Sequence, residues 1–138
     1  MDIGLLYIGS YMLGSVPTAY IIGRLVRGVD IRGYGSGNVG SANLYEHVGK
    51  RWVYPVAAVE IFVKGALPTL VALYVLDIDR SSAYIIGPGL LVLAGNNWSV
   101  FLKLQGGRGI AVTGGTLLAL TPILAVVCAV LSIGGWKL

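Results

Sequence analysis

Charge, sulfur and imidazole are all scarce in this chain. Of its 138 residues only 12% are charged, six of them acidic, with one cysteine and one histidine. A lone thiol, Cys128, excludes an internal disulfide, and no thiolate set exists for a metal cluster. Its place in an apolar run is that of a small core residue. The scarcity of charge, beside 56% hydrophobic residues and a mean hydropathy of +0.81, excludes an ordinary soluble domain. The net charge of +4 comes with no base-stacking or groove-reading motif, so nucleic acid is not an expected partner. In a bilayer protein that excess is read as cytoplasmic loops against anionic lipid.

What is present is a set of long, continuous apolar stretches, which select helices over the alternating ten-residue segments of a β-barrel. Four can be drawn, at about 3–25, 53–76, 83–101 and 110–133. The expectation is an all-α integral membrane protein, a polytopic bundle of about four transmembrane helices forming one domain over residues 1–138. The first stretch has no basic region before it and no small-residue cleavage site, so it reads as a retained span. The loops fall at 26–52, 77–82 and 102–109. If each stretch crosses once, the first and third loops share a side. Arg24, Arg27, Arg32, Lys50 and Arg51 flank or fill the first loop, and Lys103 and Arg108 the third, whereas the short second loop sets Arg80 against Asp77 and Asp79. The positive-inside rule places both glycine-rich loops in the cytoplasm, where they can converge on one site.

Three segments carry candidate chemistry. In "DIRGYGSGNVGSAN" (30–43), glycine permits left-handed backbone and close approach, so successive N–H groups can form a concave anion nest. Gly35, Ser36, Gly37, Asn38 and Gly40 suit that role, and Arg32 adds a bidentate clamp. The alternative is a flexible connector. The spacing is not that of a P-loop and no strand precedes it, so nucleotide binding is unsupported.

In "EIFVKGALP" (60–68), Glu60 and Lys64 place two ionisable groups inside a span, where each is expensive and faces the bundle interior or a wet cavity. Their i, i+4 spacing allows a mutual ion pair. Gly65 and Pro68 follow at once, and a charge beside a helix break also fits a site.

In "GNNWSVFLKLQGGRG" (95–109), Gly106, Gly107 and Gly109 surround Arg108 just before the fourth span. Backbone N–H groups at a helix start beside an arginine suit phosphate or carboxylate; a tight turn anchored to headgroups is the alternative. Asn96 and Asn97 end the third span. His47 beside Glu46 reads as solvated, and Trp52 and Trp98 as interfacial aromatics. No Ser-His-Asp order, HExxH or glycosidase-type carboxylate pair is present, so an enzyme here depends on bound anions and an activated substrate.

Together, "GSVPTAYIIGRL", "DIRGYGSGNVGSAN", "VEIFVKGALP" and "GNNWSVFLKLQGGRGIA" resemble the bacterial acyl-phosphate:glycerol-3-phosphate acyltransferases of the PlsY type, in order and spacing, over nearly the whole chain. The resemblance implies an inner-membrane enzyme, its site facing the cytoplasm, that transfers an acyl chain from acyl phosphate to the sn-1 hydroxyl of glycerol 3-phosphate without metal or other cofactor. It implies Ser36 and Lys64 as catalytic residues. Arg32, Gly35, Gly37, Asn38, Asn43, Asn96, Gly106, Gly107, Arg108 and Gly109 would bind substrate.

The chain also departs from the family pattern. Glu46 stands where the family has arginine, Asn96 where it has histidine and Arg108 where it has lysine; Ser41 and Ser99 also differ. The family's further spans and its His/Asn-bearing segment do not follow, so the expectation is either a fragment or a divergent, shortened member whose site is incomplete or shared between subunits. A charge reversal at Glu46 removes a phosphate partner unless Lys50 or Arg51 reaches the same place. A non-enzymatic lipid- or anion-binding relative and, without a visible inverted repeat, a small transporter are the competing readings.

Overall fold

A computed structural model describes residues 2–135, with side chains to Leu131; Met1 and residues 136–138 of the expected domain lie outside the described residues. The described backbone is helical, without strands. Helix α1 (Ile3–Ser15) starts at Asp2, whose carboxylate accepts the Gly4 N–H at 3.2 Å, a side-chain N-cap. Val16 and Pro17 interrupt it, because the residue before proline is driven out of the helical region. Helix α2 (Thr18–Arg27) then runs to Gly28, which closes it at φ 67°. Helix α3 (Ser41–His47) lies within the first loop and α4 (Lys50–Ala58) starts at its end. A π-helical segment (Val59–Ala66) leads into α5 (Leu67–Tyr74), and α6 (Ile86–Asn97), α7 (Ile110–Leu120) and α8 (Pro122–Gly135) follow within the described residues.

Among the described residues, three helical stretches are long and apolar enough to cross a membrane: Ile3–Arg27, Lys50–Tyr74 and Ala83–Leu102. The expected fourth span is instead two shorter helices. Pro122 has no N–H to continue α7, and Thr121 before it takes φ −140°, ψ 78°, so the chain turns and restarts as α8.

Lipid gives helices no hydrophobic reason to associate, so close packing through small residues does that work. A side chain on Gly14 would overlap the Val92 carbonyl, and one on Gly95 the Tyr11 carbonyl, which locks α1 against α6. The π segment and α7 meet in the same way, Gly65 against the Val112 carbonyl and Gly115 against that of Ile61. Pro68 accounts for the π geometry: its missing N–H would orphan a carbonyl in a continuous α-helix, and local i→i+5 bonding, such as Leu67 N–H to Phe62 O, readjusts the pairing. Thr116 Oγ1 adds a bond to the Gly65 carbonyl at 3.1 Å.

Two apolar clusters mark the ends of the bundle. Ala19, Ile31, Val39, Leu44, Val48, Val56 and Leu102 gather the first and third loops at one end. Leu6, Ala72, Leu73 and Ile85 pack at the other, where Arg80 of the short loop donates to the Ala119 and Leu120 carbonyls. The two glycine-rich loops therefore share an end, as the crossing argument requires.

Candidate active site

The first loop is held in shape by its own polar groups. Asp30 accepts the Arg32 N–H at 3.1 Å and grips that guanidinium in a fork, Nε to Oδ1 at 3.0 Å and Nη2 to Oδ2 at 2.7 Å. Arg24 reaches the same carboxylate at 3.2 Å, and the Tyr20 ring lies under both arginines. Hydrogen bonding from Arg32, above all, holds the Asp30 carboxyl down at about 2. Asn43, 2% exposed, shares its Nδ2 among the carbonyls of Ile31, Tyr34 and Asn38 at 2.9–3.0 Å and so clasps the loop from within.

The third loop folds back onto the end of α6. Gly107 N–H donates to the Asn96 carbonyl at 2.8 Å, and a Cβ on Gly106 would overlap that same carbonyl. Gly109, at φ 70°, is the cap from which α7 departs.

Between the loops opens a pocket of about 430 Å³, counting the space at its mouth. Asn38, Val39, Gly40 and the start of α3 form one wall, Gly107, Arg108, Gly109 and the first turn of α7 the other, and Glu60 and Asn96 the floor. Behind that floor is a smaller chamber, lined by Ser15, Lys64, Ser99 and Gly106 among others, which shares Val39, Glu60, Asn96 and Gly107 with the outer pocket.

Glu60 and Asn96 thus separate the two spaces and are themselves joined. Lys64, 1% exposed, places Nζ 2.7 Å from Glu60 Oε1. With its amide nitrogen toward Glu60, Asn96 donates to Oε2 at 3.1 Å and its oxygen accepts the Gly109 N–H at 3.2 Å. The opposite orientation sets two acceptors face to face and gains only a 3.4 Å contact from Lys64, so the first is the chemically sound one. A chain of polar contacts thereby runs from the π segment through α6 to the start of α7.

Of the residues the sequence singled out, Asn38, Asn96, Gly107, Arg108 and Gly109 line the outer pocket, and Lys64 and Gly106 the inner chamber. Arg108 is exposed at the pocket wall, without a carboxylate partner among the described residues. Ser36, Gly35 and Gly37 sit on the exposed tip of the first loop, where Ser36 Oγ accepts the Asn38 N–H at 3.4 Å. Arg32 and Asn43 do not line either space; they brace the loop. Lys50 and Arg51 line a different pocket, and Glu46 lines none of the three.

Glu60 was legible only as an ion-pair partner, though a second charge inside a span is itself a site signal. Among the described residues no group of three His, Cys, Asp or Glu side chains is placed to hold a metal.

The chain matches the family described as glycerol-3-phosphate acyltransferase over residues 4–136. It belongs to that family. A glycerol-3-phosphate acyltransferase of Dehalococcoides mccartyi is 41% identical over 117 residues, covering 85% of this chain and 49% of that protein. One from Halalkalibacterium halodurans is 38% identical over 135 residues, covering 97% and 65%. The crystal structure of PlsY (YgiH), an integral membrane glycerol 3-phosphate acyltransferase, in its glycerol 3-phosphate form aligns with a TM-score of 0.88 at 32% identity, over 97% of this chain and 66% of that one. Its lysophosphatidic acid form aligns at 0.85 and 31% identity, covering 96% and 63%. The chain spans about half to two thirds of the length of these relatives. Family and fold together establish an all-helical integral membrane protein.

Proposed function

We propose that the chain carries the acyltransferase reaction of its family: an acyl group passes from acyl phosphate to the sn-1 hydroxyl of glycerol 3-phosphate. The solved relative exists in glycerol 3-phosphate and lysophosphatidic acid forms, which supports that acceptor and that product here. The observation that carries the reading is the convergence of both glycine-rich loops, the first turn of α7 and Arg108 on one pocket, with a buried ammonium directly behind its floor.

The sn-1 oxygen attacks the acyl carbonyl carbon, the carbonyl carbon–phosphate oxygen bond breaks, and the hydroxyl proton passes to a substrate phosphate oxygen. Lysophosphatidic acid and inorganic phosphate leave. A mixed anhydride is already activated, so the protein supplies position and charge rather than a nucleophile.

Arg108 and the α7 N–H groups suit one phosphate, and Asn38 and the start of α3 face it across the pocket. Lys64 meets a second phosphate only by exchanging Glu60 for it, since the two are paired. Ser36 reaches substrate from the loop tip, and Arg32, Gly35, Gly37 and Asn43 set the loop that carries it. Gly106 lets the third loop close onto α6. No metal or other cofactor is required. The positive loops favour a cytoplasmic site at the bacterial plasma membrane.

Protein purified in detergent is expected to release phosphate from palmitoyl phosphate only when glycerol 3-phosphate is present. Lys64→Ala abolishes that release in the protein that remains folded. A second reading, a lipid- or anion-binding relative without turnover, draws on Glu46 and on the Glu60–Lys64 pair; saturable glycerol 3-phosphate binding with no phosphate release at high protein concentration would select it.

A further inference from the structure

We propose that the pocket between the end of α2 and the start of α4 is a separate anion site that holds the phosphodiester headgroup of an anionic glycerophospholipid. Val26, Arg27, Val48, Lys50, Arg51 and Trp52 line it, and it shares no lining residue with the two spaces described above.

Its three cations lack acidic partners. The ion pairs among the described residues involve Arg24, Arg32, His47 and Lys64, never Arg27, Lys50 or Arg51. Asp30, three residues after Arg27, is taken by Arg24 and Arg32, and Glu46, four residues before Lys50, is 63% exposed and contacts His47. Arg27 Nε donates to the Val48 carbonyl at 3.2 Å, which fixes the guanidinium at the pocket wall. Arg51 lies 5.3 Å from the Trp52 ring centroid, and Lys50 5.3 Å from that of Tyr45.

The donors are in excess as well. The Trp52 indole N–H is shielded from solvent yet has no acceptor. Helix α4 begins at Lys50, so the N–H groups of Lys50 and Arg51 have no intrahelical carbonyl, while that of Trp52 donates to the Gly49 carbonyl at 3.1 Å. Positive charge and orphan donors meet the apolar side chains of Val26 and Val48, a combination that suits several anionic oxygens attached to an apolar body.

Depth decides between a lipid and a free phosphate. Arg27 ends one membrane-length stretch and Lys50 begins the next, which sets the pocket at the level of the headgroups. A soluble phosphate would leave the partly exposed Val26 and Trp52 side chains wet.

The test is native mass spectrometry of the full chain in mild detergent, offered equal amounts of phosphatidylglycerol and phosphatidylcholine with the same acyl chains. Wild type is expected to retain phosphatidylglycerol preferentially. Lys50→Gln/Arg51→Gln should lose about thirtyfold in apparent affinity for it, two surface cations' worth, while Lys50→Arg and Lys103→Gln, the latter outside the pocket, keep the wild-type ratio. Equal retention of both lipids by wild type would overturn the proposal without any variant having to fold. So would a folded double variant, checked by thermal melt, that keeps the preference. Displacement of the lipid by millimolar inorganic phosphate would assign the pocket to free phosphate and reject the lipid. No turnover enters the assay, so its outcome is independent of the acyltransferase reading.

Discussion

At the scale of single residues, the Glu60–Lys64 pair governs both stability and chemistry. A lysine ammonium at 1% exposure persists because a carboxylate 2.7 Å away neutralises it. Removing one partner leaves the other charged and buried. Lys64→Ala is therefore expected to destabilise by about 3–5 kcal/mol, and Lys64→Met/Glu60→Gln by clearly less; denaturation in detergent distinguishes them, and equal losses would show that the pair is not the cause. Asp30 acts at the loop. Its folded pKa of about 2 lies below the ordinary carboxylate value, so its stabilisation is complete above that ordinary value and is lost as pH falls from about 4 through about 2. The carboxylate side chain is 30% exposed, which makes the effect small. Melting curves of wild type and Asp30→Asn should diverge at neutral pH and converge as pH falls through that window.

At the scale of elements, two glycines side by side on α7 have opposite surroundings. A Cβ on Gly115 would overlap the Ile61 carbonyl of the π segment, whereas one on Gly114 would meet nothing within 4 Å. Gly115→Ala is expected to destabilise by about 1–3 kcal/mol and to disturb the Glu60 floor, while Gly114→Ala leaves both nearly unchanged. Comparable melting temperatures for the two variants would argue against that close crossing. Hydropathy made the membrane helices legible, and loop charge made it legible that both glycine-rich loops share an end. It did not show the break at Thr121 and Pro122, because hydropathy is blind to a missing N–H. The π segment was hidden for a related reason: the sequence signals a helix break at Pro68, but which carbonyls re-pair depends on the contact with α7.

At the scale of the whole molecule, the placement of charge shows what one sequence can and cannot disclose. Lys64 and Arg108 were legible as unusual charges, one inside a span and one in a glycine turn. Their convergence beside a shared floor of Glu60 and Asn96 comes from the packing of α6 against the π segment and α7, which no local pattern encodes. Arg32 looked like a phosphate clamp, yet its fork is filled by Asp30, two residues away. The exposed apolar side chains of α8, Ile123 and Val130 among them, face outward as lipid-facing residues do.

Isotope tracing tests the central claim, transfer of the acyl group to glycerol 3-phosphate, most directly. Glycerol 3-phosphate carrying oxygen-18 in its sn-1 hydroxyl is incubated with palmitoyl phosphate and the purified chain, and the products are weighed by mass spectrometry. The account predicts lysophosphatidic acid with the label in its ester linkage and unlabelled inorganic phosphate. Labelled phosphate, or phosphate release with no lysophosphatidic acid formed, would contradict it.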